Sequence, residues 1–307
     1  MITALAGGVG AARFLQGLTK VYPEKEITVI VNTGDDIELY GLHISPDIDI
    51  VTYTLAGIVD EEKGWGIKKD TFHWLDMIQK YGYETWFKIG DKDLATHFYR
   101  TRLLKEGHSL TEITSKICHN LDLSIKILPM TNDRFQTKIA TDKGVMHFQE
   151  YMVKRGTQDK VTNVIFDGAK KAKPAPRVID AILDAKLIII CPSNPIVSID
   201  PILSVKNVRK SLGKTKAKIV AISPIIHGAP LKGPADKLMR GLGLEVSAYA
   251  VANLYRDFVD TFIIDNMDQD EEKRVQKLGL KVVVTNTIMK TIQDKIRLAE
   301  VAIKSVR

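Results

Sequence analysis

Residues 2–15 read Ile2-Thr3-Ala4-Leu5-Ala6-Gly7-Gly8-Val9-Gly10-Ala11-Ala12-Arg13-Phe14-Leu15. An apolar run of strand length feeds a glycine turn. The turn opens a segment in which Phe14, Leu15 and Leu18 share one side at helical spacing. Strand, glycine turn and helix, in that order, present backbone N–H groups and a helix N-terminus to a phosphate. The turn is not the dinucleotide fingerprint. Counted from Gly8, G-x-G-x-x-G needs a glycine at 13, where the chain has Arg13. The second strand, Ile27-Thr28-Val29-Ile30-Val31, ends in Asn32 and not in the acid that would take a ribose hydroxyl. The reading is a phosphate site, with Gly7, Gly8, Val9, Gly10 and Arg13 as candidates, and it argues against NAD.

Thr33-Gly34-Asp35-Asp36 follows that strand directly. Paired carboxylates at the C-terminal end of a core strand stand where α/β proteins place ligands, although Asp and Gly also make ordinary turns. Ser45-Pro46-Asp47-Ile48-Asp49 then reads as a helix start, with Ser45 as N-cap and both acids in the first turn. These acids either complement the helix dipole or join Asp35 and Asp36 in an all-oxygen cation site. Mg²⁺ suits such a site, because it takes one or two carboxylates, keeps waters and binds substrate phosphates. No His or Cys cluster argues for zinc.

Between residues 61 and 160 the alternation of strand and helix gives way to helices over 71–81 and 93–106, and to a capping box at Ser109-Leu110-Thr111-Glu112. Residues 135–142 and 145–153 read as a hairpin around Lys143-Gly144. All three tryptophans and five of the seven histidines fall in this segment, which suggests a pocket-forming insertion over the mouth of the first domain. Two stretches carry glycine and tryptophan beside charges, as a stacking pocket for a flat ring would: Gly64-Trp65-Gly66-Ile67-Lys68-Lys69-Asp70, and Trp86 through His97.

After residue 160 the α/β rhythm returns, with strands expected over 161–166, 187–191, 218–223, 261–264 and 281–284. The continuous apolar run Leu187-Ile188-Ile189-Ile190-Cys191 delivers Pro192-Ser193-Asn194-Pro195, where Ser193 and Asn194 offer hydroxyl and amide groups to a phosphate or base edge. The expected fold is α/β: a Rossmann-like, mostly parallel sheet with helices on both faces, built from residues 1–60 and 161–307. A mainly helical insertion with a β-hairpin spans 61–160.

Charge and composition narrow the partners. Net charge is +7, but the lysines are spread without a basic block, which favours an anionic small molecule over nucleic acid. No run approaches the ~20 apolar residues of a membrane span. Two cysteines give no disulfide framework, so a reducing, cytoplasmic setting is expected.

Taken in order, the motifs resemble one family. Gly7-Gly8-Val9-Gly10 with Arg13-Phe14, Asn32-Thr33-Gly34-Asp35-Asp36, Ser45-Pro46-Asp47-Ile48-Asp49, Gly64-Trp65-Gly66, Gly90-Asp91-Lys92-Asp93-Leu94-Ala95-Thr96-His97, Pro192-Ser193-Asn194-Pro195 and Ser223-Pro224-Ile225-Ile226 together are similar to 2-phospho-L-lactate transferase of the coenzyme F-420 pathway, over about residues 2–255. The resemblance implies transfer from a guanosine diphosphate ester of lactate or enolpyruvate to a ribityl hydroxyl of the deazaflavin Fo, with Mg²⁺ and with GMP leaving. It implies Asp49 and Lys88 at the deazaflavin, where Trp65 and His97 are further candidates. It places Asp35, Asp36 and Asp49 around the metal and the reacting hydroxyl, with Asp35 and Asp49 as catalytic candidates. The opening glycines look closer to the enolpyruvyl-using branch. A homodimer is one assembly open to it. The rival reading is a regulatory nucleotide-sugar-binding protein of the gluconeogenesis-factor type, which shares the opening glycines but is not expected to carry Gly64-Trp65-Gly66 or the 90–97 stretch.

Overall fold

The computed structural model describes residues 1–306. Seven strands form one sheet in the spatial order Lys281–Thr285, Thr261–Asp265, Lys218–Ile222, Leu187–Ile190, Ile2–Ala6, Ile27–Val31, Lys126–Pro129. Every neighbouring pair is parallel. The expected α/β, mostly parallel architecture is therefore what the chain adopts.

Alternation along the strands shows why the sheet is covered on both faces. Leu5, Ile30, Ile188, Ile190 and Ala221 point into one core, with Ile182, Ile202 and Val251 from the helices above them. Ala4, Val29, Ile189 and Val220 point the other way, onto Phe14, Leu15 and Leu298. A strand buried on both faces reads as a continuous apolar run, which is why these strands were legible without a period.

The order of the strands sets the site. The chain runs outward from Ile2–Ala6 through Ile27–Val31 to Lys126–Pro129, then returns to the other side of Ile2–Ala6 with Leu187–Ile190 and runs outward again. The direction reverses between Ile2–Ala6 and Leu187–Ile190, and α/β sheets open a crevice beyond the strand ends at such a reversal. The glycine turn leaves one of these strands and Pro192-Ser193-Asn194 leaves the other.

Three expectations need correction. Within 61–160, Lys126–Pro129 is a strand of the main sheet, delivered by the helix Leu110–Asn120, so strand–helix alternation does not stop there. The run beginning at Val161 forms a strand, but it pairs antiparallel with Gln136–Thr141, outside the main sheet. Much of it is exposed, as a strand covered on one face alone must be. The hairpin's second strand covers only Gly144–His147, and the chain then coils through Glu150–Lys154, closed by the Arg155 N–H donating to the Glu150 carbonyl at 2.9 Å. Phe148 and Tyr151, three residues apart, both drop into the core, and that spacing fits a helical turn and not a strand.

Candidate active site

A cavity of about 1050 Å³ opens at the reversal point. Its floor is the glycine turn. The Gly7 N–H donates to Ser193 Oγ at 3.3 Å, tying the ends of the two diverging strands together. A Cβ on Gly10 would lie 2.2 Å from the Pro192 carbonyl oxygen, so only glycine lets the helix Gly8–Val21 start this close to the neighbouring loop. Neither partner there is a flexible side-chain tip. Gly10→Ala is expected to force the two loops apart, with a loss of about 1–3 kcal/mol in urea unfolding and weaker nucleotide binding.

The Ser193 and Asn194 groups read as ligand donors are partly used by the fold itself. Asn194 Oδ1 caps the turn Pro195–Ile199 by accepting from the Ile196 and Val197 N–H groups at 3.0 and 3.3 Å, and its carbonyl takes the Ile199 N–H. Both residues still line the cavity, as do Gly7, Gly8, Val9, Gly10 and Arg13.

The acids separate into distinct environments. Asp35 and Asp47 line the cavity side by side with the glycine turn. Asn32 Nδ2 donates to Asp47 Oδ2 at 2.9 Å. Burial pushes the Asp47 carboxyl up to about 7, against the Asn32 hydrogen bond. Burial pushes Asp35 well above the usual carboxylate range, and the charge of Asp47 pushes the same way. Asp35 Oδ1 is buried with no hydrogen-bond partner. Asp36 does not line the cavity, and its Oδ1 too is buried without a partner. Its Oδ2 accepts from Ser45 Oγ at 2.8 Å and lies 3.1 Å from His43 Nε2. Ser45 thus spends its hydroxyl on Asp36 and does not cap the helix Pro46–Leu55 as its position suggested.

Asp49 is held differently again. Arg100, fully buried on the helix Asp91–Lys105, grips it with two nitrogens, Nη1 to Oδ2 at 3.1 Å and Nη2 to Oδ1. His97 sits one turn back on that helix. Its Nδ1 lies 3.6 Å from Asp49 Oδ2 and its Nε2 3.3 Å from Asp93 Oδ1. Tyr53 Oη donates to Asp93 Oδ1 at 2.8 Å. Burial pushes Asp93 up, but its bonds to His97 and Tyr53 prevail and hold it below the usual carboxylate range. The structure therefore does not gather Asp35, Asp36 and Asp49 around one point. Among the described residues, no three His, Cys, Asp or Glu side chains stand ready to hold a metal together. Asp35 and Asp47 are the acids that share the cavity wall with the glycine turn.

Aromatic side chains line the cavity as well. Trp65, Trp86, Phe87 and Phe148 line it, with Lys88 beside them. Trp65 packs edge-on against Phe72 at 6.4 Å between ring centres and is 39% exposed, so part of its face is free to meet a ligand. Arg100, Tyr53, Phe148 and Gln149 are site residues that the sequence reading missed. Arg100 had a signal, since Asp93, His97 and Arg100 recur at the spacing of one helix face.

His147 closes this region from the hairpin. Its Nε2 lies 3.1 Å from the Asp36 carbonyl, and its Nδ1 accepts from the Gln149 N–H at 3.1 Å. That pattern requires a neutral ring. Burial lowers its pKa from 6.5 to about 4, against the Asp36 carbonyl. A folded-state value below the unfolded one gives stability that is present above about 6.5 and is lost as the pH falls toward 4, on the order of 2–3 kcal/mol. The raised Asp47 works in the opposite sense, since its contribution falls as the pH rises from 3.8 toward 7. The test is therefore a difference: urea unfolding of wild type and His147→Gln at pH 7 and pH 5. The gap between the two proteins is expected to shrink at pH 5. An equal gap at both pH values contradicts the assignment of a neutral ring.

Comparison with known proteins places this geometry. Two crystal structures of protein BH3568 from Bacillus halodurans share the fold, with TM-scores of 0.65 and 0.63, coverage of 98% of each chain, and 17% and 15% identity. The 2-phospho-L-lactate transferase of Methanocaldococcus jannaschii is 41% identical over 98% of this chain and 96% of its own length. The phosphoenolpyruvate transferase of Streptomyces coelicolor is 42% identical over 91% of this chain and 89% of its own. The description "2-phospho-L-lactate transferase CofD" matches residues 2–302. With relatives of this identity along nearly its whole length, the chain belongs to the 2-phospho-L-lactate transferase CofD family.

Proposed function

We propose that this protein transfers a 2-phospholactyl or enolpyruvyl phosphate group from a guanosine diphosphate donor to a ribityl hydroxyl of the deazaflavin Fo. The products are GMP and coenzyme F-420-0 or its dehydro form. The observation that carries the reading is one cavity lined together by a glycine turn, buried carboxylates and aromatic side chains. A diphosphate ester needs the first, phosphoryl transfer the second, and a flat tricyclic ring the third. Relatives of both names match at similar identity, so both donors stay within the proposal.

In the reaction the ribityl oxygen forms a bond to the phosphorus that carries the three-carbon acid, and the bond from that phosphorus to the oxygen kept by GMP breaks. The glycine turn holds phosphate oxygens by its N–H groups, and Arg13 lies in the same wall. Asp49 accepts the proton of the attacking hydroxyl. Arg100 fixes its orientation, and a carboxylate gripped by one guanidinium keeps lone pairs toward the cavity. Lys88, Trp65 and His97 border the acceptor. Alignment of two bound substrates supplies on the order of several kcal/mol of the barrier.

A divalent metal fits the residues present. Asp35 Oδ1 is buried without a partner, Asp35 and Asp47 carry mutually unfavourable charge, and hard oxygen donors are what Mg²⁺ takes. Asp35 and Asp47 would hold it with donor phosphates, where it would neutralise diphosphate charge. The acceptor half is tested by titrating Fo into the protein and following its fluorescence. Saturable quenching in the micromolar range is expected. No binding of Fo, with tight binding of a nucleotide-sugar instead, contradicts the proposal.

A further inference from the structure

The loop after the strand Lys218–Ile222 carries a lysine that neither the resemblance nor the family assignment draws attention to. Lys232 Nζ reaches across the cavity mouth and donates to the Lys63 carbonyl at 3.2 Å. Residue 64, next to that carbonyl, is glycine. A Cβ there would lie 2.3 Å from Lys232 Nζ, and the Gly64 φ of +72° is itself a conformation that other residues seldom take. Lys232, Arg13, Gly64 and the glycine turn all line the same cavity. Val9 from that turn comes within 3.9 Å of the same point at Gly64.

The charges here are uncompensated. Among the described residues, neither Arg13 nor Lys232 has a carboxylate within 4.0 Å, although the chain makes many ion pairs elsewhere. Partial burial of the amine, and then the positive charge of Arg13, push the Lys232 ammonium below its usual range. Two cations held together at a cavity wall beside a helix N-terminus repel each other until an anion arrives between them. The acids of the cavity, Asp35, Asp47, Asp49 and Asp93, are engaged in the separate arrangements already described.

We infer that Lys232 and Arg13 form a cationic clamp on the phosphates of the nucleoside diphosphate donor, with Lys232 fastening the loop 227–234 to the loop 61–66 over the glycine turn. The inference rests on the proposed donor chemistry and adds to it the group that meets the departing nucleotide's phosphate. Lysine acts there as a point charge on a flexible stem, so it follows the phosphate as the bond breaks.

The test uses the full chain, Mg²⁺, GDP as the phosphate probe, and Fo as the control ligand. Lys232→Met is expected to weaken GDP binding by about tenfold or more. Fo binding should stay within about twofold. Lys232→Arg should recover most of the GDP affinity, since the charge is kept. GDP affinity unchanged in Lys232→Met, with wild type binding GDP, overturns the clamp and leaves the transferase reading intact. An equal loss of GDP and Fo binding also overturns it, since Lys232 would then only hold the loops in shape. A wild-type protein that binds no GDP and turns over neither donor overturns the transferase reading and the clamp with it.

Discussion

Asp35→Asn is expected to stay folded, with an unchanged or raised melting temperature, and to lose about 10²–10⁴-fold of its turnover. The two effects have one cause. Asp35 is buried, its Oδ1 has no hydrogen-bond partner, and Asp47 stands beside it. A folded-state pKa above the unfolded value means that the folded protein holds this proton more tightly, so ionisation at neutral pH costs stability. The amide has the same shape and no charge, and it removes that cost. Such a group persists where function needs it. If Asp35 and Asp47 hold Mg²⁺ against donor phosphates, adding Mg²⁺ with GDP should raise the melting temperature of wild type and not that of the variant. Turnover near the wild-type rate in Asp35→Asn contradicts the assignment.

Arg100→Met should lower stability by about 3–5 kcal/mol, because Asp49 is left buried with only His97 Nδ1, 3.6 Å away, beside it. Arg100 is completely buried and Asp49 nearly so. Removing both charges should cost less than removing one. In a double-mutant cycle, Asp49→Leu with Arg100→Met is expected to recover much of the loss in urea unfolding. Both variants should bind Fo poorly, since Asp49 and His97 share the wall that Arg100 holds. A cost below about 1 kcal/mol for Arg100→Met would mean that Asp49 finds solvent or another partner when Arg100 is gone.

What the sequence made legible was local. The glycine turn, Asp35 and the apolar run 187–190 each follow from a few neighbouring residues, and the turn, Asp35 and the loop after 187–190 line one cavity. Less legible was whatever depends on residues far apart in the chain. Asp49 and Arg100 are separated by 51 positions, and nothing near Asp49 announces the guanidinium that grips it. Asp36 looks identical to Asp35 in sequence, yet His43 and Ser45 hold its Oδ2 and it does not line the cavity. The strand Lys126–Pro129 was hidden because four residues between a helix and the hairpin carry little period of their own. Apolar residues three and four apart over 148–152 decide for a helical turn, but they follow a true strand with no glycine or proline to mark the change.

The most direct test of the central claim is turnover. Purified protein is mixed with Fo, Mg²⁺ and either the lactyl or the enolpyruvyl guanosine diphosphate ester, and new phosphodiester is followed by mass. The account predicts product and GMP in equal amounts from at least one donor, and the ratio of rates names the preferred one. Intact substrates and folded protein with no product from either donor would contradict it.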